Sequence, residues 1–113
     1  MDALRSFCKK LPGVTENVKW GDDLCFLVAN KIFCMTGFNP PLSLCVKVPD
    51  DEFDELSSRE GFIPAPYLAR YKWVVIKDAT RLSKKEIEHY VVQSYELKKS
   101  KLSKKDLKKY RLI

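Results

Sequence analysis

LCFLVANKIFCM (24–35) is the stretch that decides how this chain folds. Two apolar runs, LCFLV (24–28) and IFCM (32–35), flank Ala29-Asn30-Lys31. Short apolar runs bounded by a turn signal read as strands, and asparagine tolerates the left-handed backbone that tight hairpin turns require. The stretch therefore predicts an antiparallel hairpin. Upstream of it, Thr15 to Lys19 reads as a further strand, joined to the hairpin by the turn Trp20-Gly21-Asp22-Asp23. Further upstream, Leu4, Phe7, Cys8 and Leu11 recur at helical spacing behind Asp2, a capping residue, and Pro12-Gly13 ends that helix.

Downstream, Thr36 to Pro41 is predicted as a loop, because its two prolines have no N–H to give to a ladder. Leu42, Leu44, Val46 and Val48 then alternate with Ser43, Cys45 and Lys47, the period of a half-buried strand. Asp50, Asp51 and Glu52 are expected in the first turn of an acidic helix anchored by Phe53 and Leu56, since the helix dipole favours negative charge there. Gly61 to Pro66 reads as a loop and KWVVIK (72–77) as a strand. Ser83 and Glu86 form a capping box for a long helix whose buried face is Ile87, Tyr90, Val91 and Tyr95. Ser103 and Asp106 can cap one more helical turn. Helix, strands, helix, strand, helix is an α+β order: a twisted antiparallel sheet backed by helices. One domain spans residues 1–102, and residues 103–113 form a lysine-rich C-terminal extension.

The 113 residues, 45% of them apolar and 12% aromatic, can build a core without staples. No run approaches the length of a membrane span. The N-terminal residues lack the pattern of a secretory signal, so a cytoplasmic protein without membrane partners is expected. Cys25, Cys34 and Cys45 sit in apolar runs, where a free thiol acts as a small hydrophobe; with Cys8 they show no metal-ligand spacing. No metal or other cofactor is expected. The formal net charge of +6 is concentrated at one end: from Lys98 to Arg111 there are eight bases and one acid, Asp106, which leaves the rest of the chain near −1.

Read together, LPGVTENVKWGDDLCFLV (11–28), KIFCMTGF (31–38), FDEL (53–56), IPAPYLARYKWV (63–74) and QSYEL (93–97) closely resemble the MmcQ/YjbR-like family of small bacterial proteins. The PAPYLARY portion is the most specific part, and the likeness runs from about Leu4 to Leu102. The resemblance implies a CyaY-like α+β fold. It also implies a proposed family role, DNA binding through a double-wing arrangement in which two hairpin-like wings embrace the duplex. The lysine-rich end after Leu102 departs from the family pattern.

Catalytic signals are weak. The one histidine, His89, falls beside the apolar face of the long helix, where a solvated role is the expected one. Asp22 and Asp23 follow a Trp-Gly turn and read as loop residues, and no phosphate loop, GxSxG or HExxH is present. A non-enzymatic role is therefore expected. Binding signals are better. Tyr67, Arg70, Tyr71, Lys72 and Trp73 interleave aromatic and basic side chains, which suits bases and phosphates. The competing reading places Trp73 in the core and pairs Arg70 with Asp22 or Asp23. Lys19 and Trp20 form a second candidate, reaching a groove or closing one end of the core. The third is the tail, Lys98, Lys99, Lys101, Lys104, Lys105, Lys108, Lys109 and Arg111, which would attract any polyanion or simply aid solubility. The leading expectation is weak DNA binding without sequence preference. The alternative is an adaptor for an acidic small molecule or a protein, using a pocket of Trp20, Tyr67 and Arg70 beside the Pro64–Tyr71 loop.

Overall fold

The structure, a computed structural model, describes residues 2–19, 21 and 23–112. Its sheet has six antiparallel strands: β1 (Val14–Lys19), β2 (Asp23–Val28), β3 (Lys31–Gly37), β4 (Leu44–Lys47), β5 (Phe62–Pro64) and β6 (Trp73–Ile76), in the order β1-β2-β3-β4-β6-β5. The helices are α1 (Asp2–Lys10), α2 (Phe53–Ser57), α3 (Lys84–Lys99) and α4 (Lys104–Lys109). The α+β expectation holds.

Ala29 and Asn30 both take positive φ, 49° and 65°, which is the twist that a two-residue hairpin turn needs between β2 and β3. Leu24, Phe26 and Val28 from β2, Leu44 and Val46 from β4, and Val74 and Ile76 from β6 bury one face of the sheet together with Leu4, Cys8, Tyr90, Val91 and Tyr95 of α1 and α3. Alternation in these strands is thus a record of which face meets the helices. All four thiols are free; Cys45 is partly exposed and the other three are buried. Ser83 and Ser103 each accept a hydrogen bond from the N–H three residues on, Glu86 and Asp106, so both expected caps form.

Three local expectations are corrected. β3 runs on to Gly37 and β4 begins only at Leu44, so the loop spans 38–43, two residues later than Thr36–Pro41. Asp50 to Glu52 precede α2 instead of forming its first turn, which holds Asp54 and Glu55. Phe62–Pro64, expected as loop, is strand β5. It is an edge strand, the one place in a sheet where a proline leaves no ladder partner unmet.

A register shift between Phe26 and Leu27 puts Phe26 opposite Cys34 and Leu27 opposite Ile32, leaving Phe33 as an extra residue in β3. The bulge turns Phe33 into the core, edge-on to Tyr95 with ring centroids 5.4 Å apart. Its freed carbonyl accepts from the Ser94 hydroxyl at 2.5 Å, and that hydroxyl accepts from the Lys47 N–H at 3.0 Å. Ser94 is fully buried and joins β3 to β4 just beyond the two residue pairs of their ladder. Ser94→Ala leaves the buried Phe33 carbonyl and the half-buried Lys47 N–H without this partner and is expected to cost about 2–4 kcal/mol, read from urea unfolding of the full chain. A loss below half a kcal/mol would show that the bridge is replaced by other contacts.

The C-terminal extension packs on the domain. Arg111 turns at φ 58°, the Leu112 N–H donates to the Leu107 carbonyl, and Leu112 rests against the core beside Gly13. Gly13 is required there: at φ +74°, a Cβ would lie 2.8 Å from Leu112 Cδ2.

Candidate functional site

Strand register defines the two ends of the sheet. Val14, Val28, Lys31, Lys47 and Trp73 mark one end; Lys19, Asp23, Gly37, Leu44 and Ile76 mark the other. Helix α3 starts just beyond the second end and finishes at the first, so its last turn and the chain after it meet Lys47.

At that first end a groove of about 540 Å³ lies between the β4–α2 turn, the turn before β6 and the end of α3. Lys47, Arg70, Tyr71, Lys72 and Lys101 line it together with Asp50 and Asp51. Residues 69–71 form a single 3₁₀ turn closed by Lys72 in the left-handed region, φ 67°. That reversal presents the Lys72 carbonyl to the Val48 N–H and sets the Lys72 ammonium 5.0 Å from the Phe53 ring. Lys47 Nζ donates to the Tyr71 carbonyl. The Arg70 guanidinium stacks 4.7 Å from the Tyr71 ring centre and donates to its hydroxyl, and Tyr71 remains about half exposed. Lys98 adjoins the groove, its ammonium 6.0 Å from the Trp73 ring.

These cations are not neutralised by neighbours in the usual way. Burial pulls the Lys47 ammonium below the ordinary lysine range; Asp50 opposes the shift, and Lys101 and Lys72 add to it. Burial does the same at Lys98, reinforced by Lys47 and Lys31. Among the described residues the ion pairs lie elsewhere, at Arg5–Glu16, Lys9–Glu16, Arg59–Glu86, Arg81–Asp78 and Lys84–Glu88. A concentration of mutually repelling ammonium groups beside an aromatic–arginine stack can hold an anion.

The sequence-predicted residues divide. Arg70, Tyr71, Lys72 and Lys101 converge on the groove, and Lys98 stands beside it. Lys99 turns its ammonium toward Tyr95, 5.7 Å from that ring, and Lys104 and Lys105 are exposed in the first turn of α4. Lys19 is at the far end of the sheet, opposite Asp23. Trp20 and Asp22 lie outside the described residues. Trp73 is 5% exposed, which settles it as a core residue. Arg70 pairs with the Tyr71 ring and not with Asp23. His89 is exposed, edge-on to Tyr90. Lys47 and Lys31 were not among the candidates: each reads locally as an ordinary solvated residue in a strand or turn, and nothing in the spacing brings either to Lys98.

A second concavity, about 430 Å³, opens between the other face of the sheet and residues 65–68. Tyr67 is at its rim, as the pocket alternative expects, whereas Arg70 belongs to the first groove.

Fold and groove define a small α+β module with a cationic groove at one end of an antiparallel sheet. The sequence matches the YjbR family over residues 9–97, and the chain belongs to that family. It is similar in structure to a crystal structure of a protein from Pseudomonas syringae, with a TM-score of 0.69 and 18% identity over 85% of this chain and 96% of that one. That likeness shows the fold. No curated protein matches the sequence. Among the described residues no helix is long and apolar enough to cross a membrane, and no cluster of His, Cys, Asp and Glu has the geometry to hold a metal ion.

Proposed function

We propose that this chain is a non-enzymatic DNA-binding module that contacts phosphates through the groove at the Lys47 end of the sheet. The observation that carries the reading is the convergence of Lys47, Lys72, Lys98, Lys101 and Arg70, without carboxylate pairing, around Tyr71. Lysines and arginine hold phosphate oxygens, and a half-exposed tyrosine stacked on arginine offers a surface for a sugar or base. Asp50 and Asp51, which also line the groove, repel phosphate locally, so the contacts fall to the lysines and Arg70 away from them. Such contacts carry little sequence information, so binding is weak and general. Free, mostly buried thiols suit a reducing compartment such as the cytoplasm.

The test is fluorescence anisotropy of a labelled random duplex titrated with the full chain at low and near-physiological salt. The full chain is needed because Leu112 contributes to the core. Binding that falls steeply with salt, and that Arg70→Ala and Lys101→Ala each weaken about fivefold to tenfold, is the expected result. Binding that Lys104→Ala and Lys105→Ala weaken equally would reduce the interaction to nonspecific attraction by the tail. Absence of binding at low salt would refute the DNA reading.

A further inference from the structure

The concavity beneath residues 65–68 has a different chemistry from the lysine groove. Its floor is the face of the sheet turned away from α3, formed by Met35, Cys45 and Val75. Its roof is held firmly: the Ala65 N–H donates to the Trp73 carbonyl, and the Leu68 N–H donates to the Ala65 carbonyl. The closed end is also built, because the buried Thr36 hydroxyl donates to the Ser43 carbonyl at 2.6 Å. At the rim Tyr67 sits in the left-handed region, φ 66°, with 98% of its surface exposed. A bulky residue held there is strained, and its ring gains no burial in return.

The lining has a definite charge. Among the described residues that line it, Asp23 is the one charged side chain, at the end of β2 opposite Gly37. The Cys45 thiol at the floor is pushed up to about 12, by burial first, then by Asp23 and then by Cys25. Lys19 offsets Asp23 partly at Cys25, two strands nearer β1, whereas burial, Asp23 and Cys25 all raise Cys45. The floor therefore experiences a negative field in an apolar setting.

We propose that this pocket binds a small organic cation, an ammonium group carried on an apolar body about one ring in size. The apolar body fills the space over Met35, Cys45 and Val75, and the ammonium faces Asp23. The volume falls within the range of small-molecule sites, which pair mostly apolar walls with a few polar groups. The exposed Tyr67 ring is positioned to cover the ligand, where its face attracts a cation. This inference is independent of the DNA reading and reverses the ligand charge expected from the sequence, because Arg70 lies in the other groove.

The experiment uses the isotopically labelled full chain at neutral pH, titrated separately with phenethylamine, phenethyl alcohol and 3-phenylpropionate. Amide shifts at Thr36, Cys45, Leu68 and Val75 are expected for the amine, with the alcohol about fivefold weaker and the carboxylate weaker still. Asp23→Asn is expected to bring the amine to the level of the alcohol, and Val75→Phe to block both by filling the floor. Comparison of the three probes on the unmodified protein stands even if a variant fails to fold. Equal or tighter binding of the carboxylate, shifts confined to other residues, or no shift with any probe up to about 10 mM would each overturn the proposal.

Discussion

Replacing Lys47 and Lys98 together by glutamate is expected to weaken duplex binding about a hundredfold at about 0.1 M salt, while the chain stays folded. Each phosphate contact releases close to one counterion, worth roughly tenfold in affinity at that salt, so losing two contacts approaches a hundredfold. Reversing the charges adds repulsion and should also flatten the salt dependence by about two contacts. Both lysines are partly buried among other cations, and burial holds both below the ordinary lysine range. The sign of the linkage follows: a lowered folded pKa gives stability that is present above the ordinary lysine pKa and is lost as pH falls through the folded value. At neutral pH the two charges therefore weigh against folding, so replacing them by methionine should not lower the urea midpoint. Loss of binding without loss of stability is the signature of residues kept for a ligand. If the double variant binds as the parent does, the groove is not the DNA site; if it unfolds, Lys47→Met and Lys98→Met singly separate packing from charge.

Cys45 offers the second large effect. Alkylation by a small neutral reagent at pH 8 is expected to be about two to three orders of magnitude slower in the folded chain than in urea, because the thiolate is the reacting form. An ordinary thiol has a substantial thiolate fraction at that pH, whereas a thiol pushed up to about 12 has roughly one part in ten thousand. The folded rate should keep rising about tenfold per pH unit beyond the point near pH 9 where the unfolded rate levels off. Burial also raises Cys25, and Cys8 together with burial raises Cys34. Raised thiols give stability that is complete below the ordinary thiol pKa and is lost as pH climbs toward the folded values. The urea midpoint should accordingly fall between pH 8.5 and the alkaline limit of the titration. A folded rate that matches the unfolded one would mean that residues 65–68 open freely over Cys45.

Much of the architecture is local and was therefore readable. The hairpin at 24–35 depends on two apolar runs and two residues that accept positive φ. The buried face of β4 follows from alternation, and the start of α3 from the Ser83–Glu86 cap. Burial of one side of an element imposes a period on the sequence, so facing and capping are written in neighbouring residues. What lay beyond reach depends on residues far apart in the chain. β5 exists because β6 offers an edge to a proline-containing segment, and the Phe33 carbonyl freed by the bulge finds its partner in Ser94, 61 residues away. Leu112 rests against Gly13, where a Cβ would force its methyl group to shift. The groove is the clearest case. Lys47 joins Tyr71 because β6 pairs with β4 while α2 and β5 are set aside, and Lys98 and Lys101 arrive because α3 runs back along the sheet. The sequence declared which residues carry charge and which elements hold them; strand order and the direction of α3 determined that some of those charges meet, and that Lys19 stands at the far end.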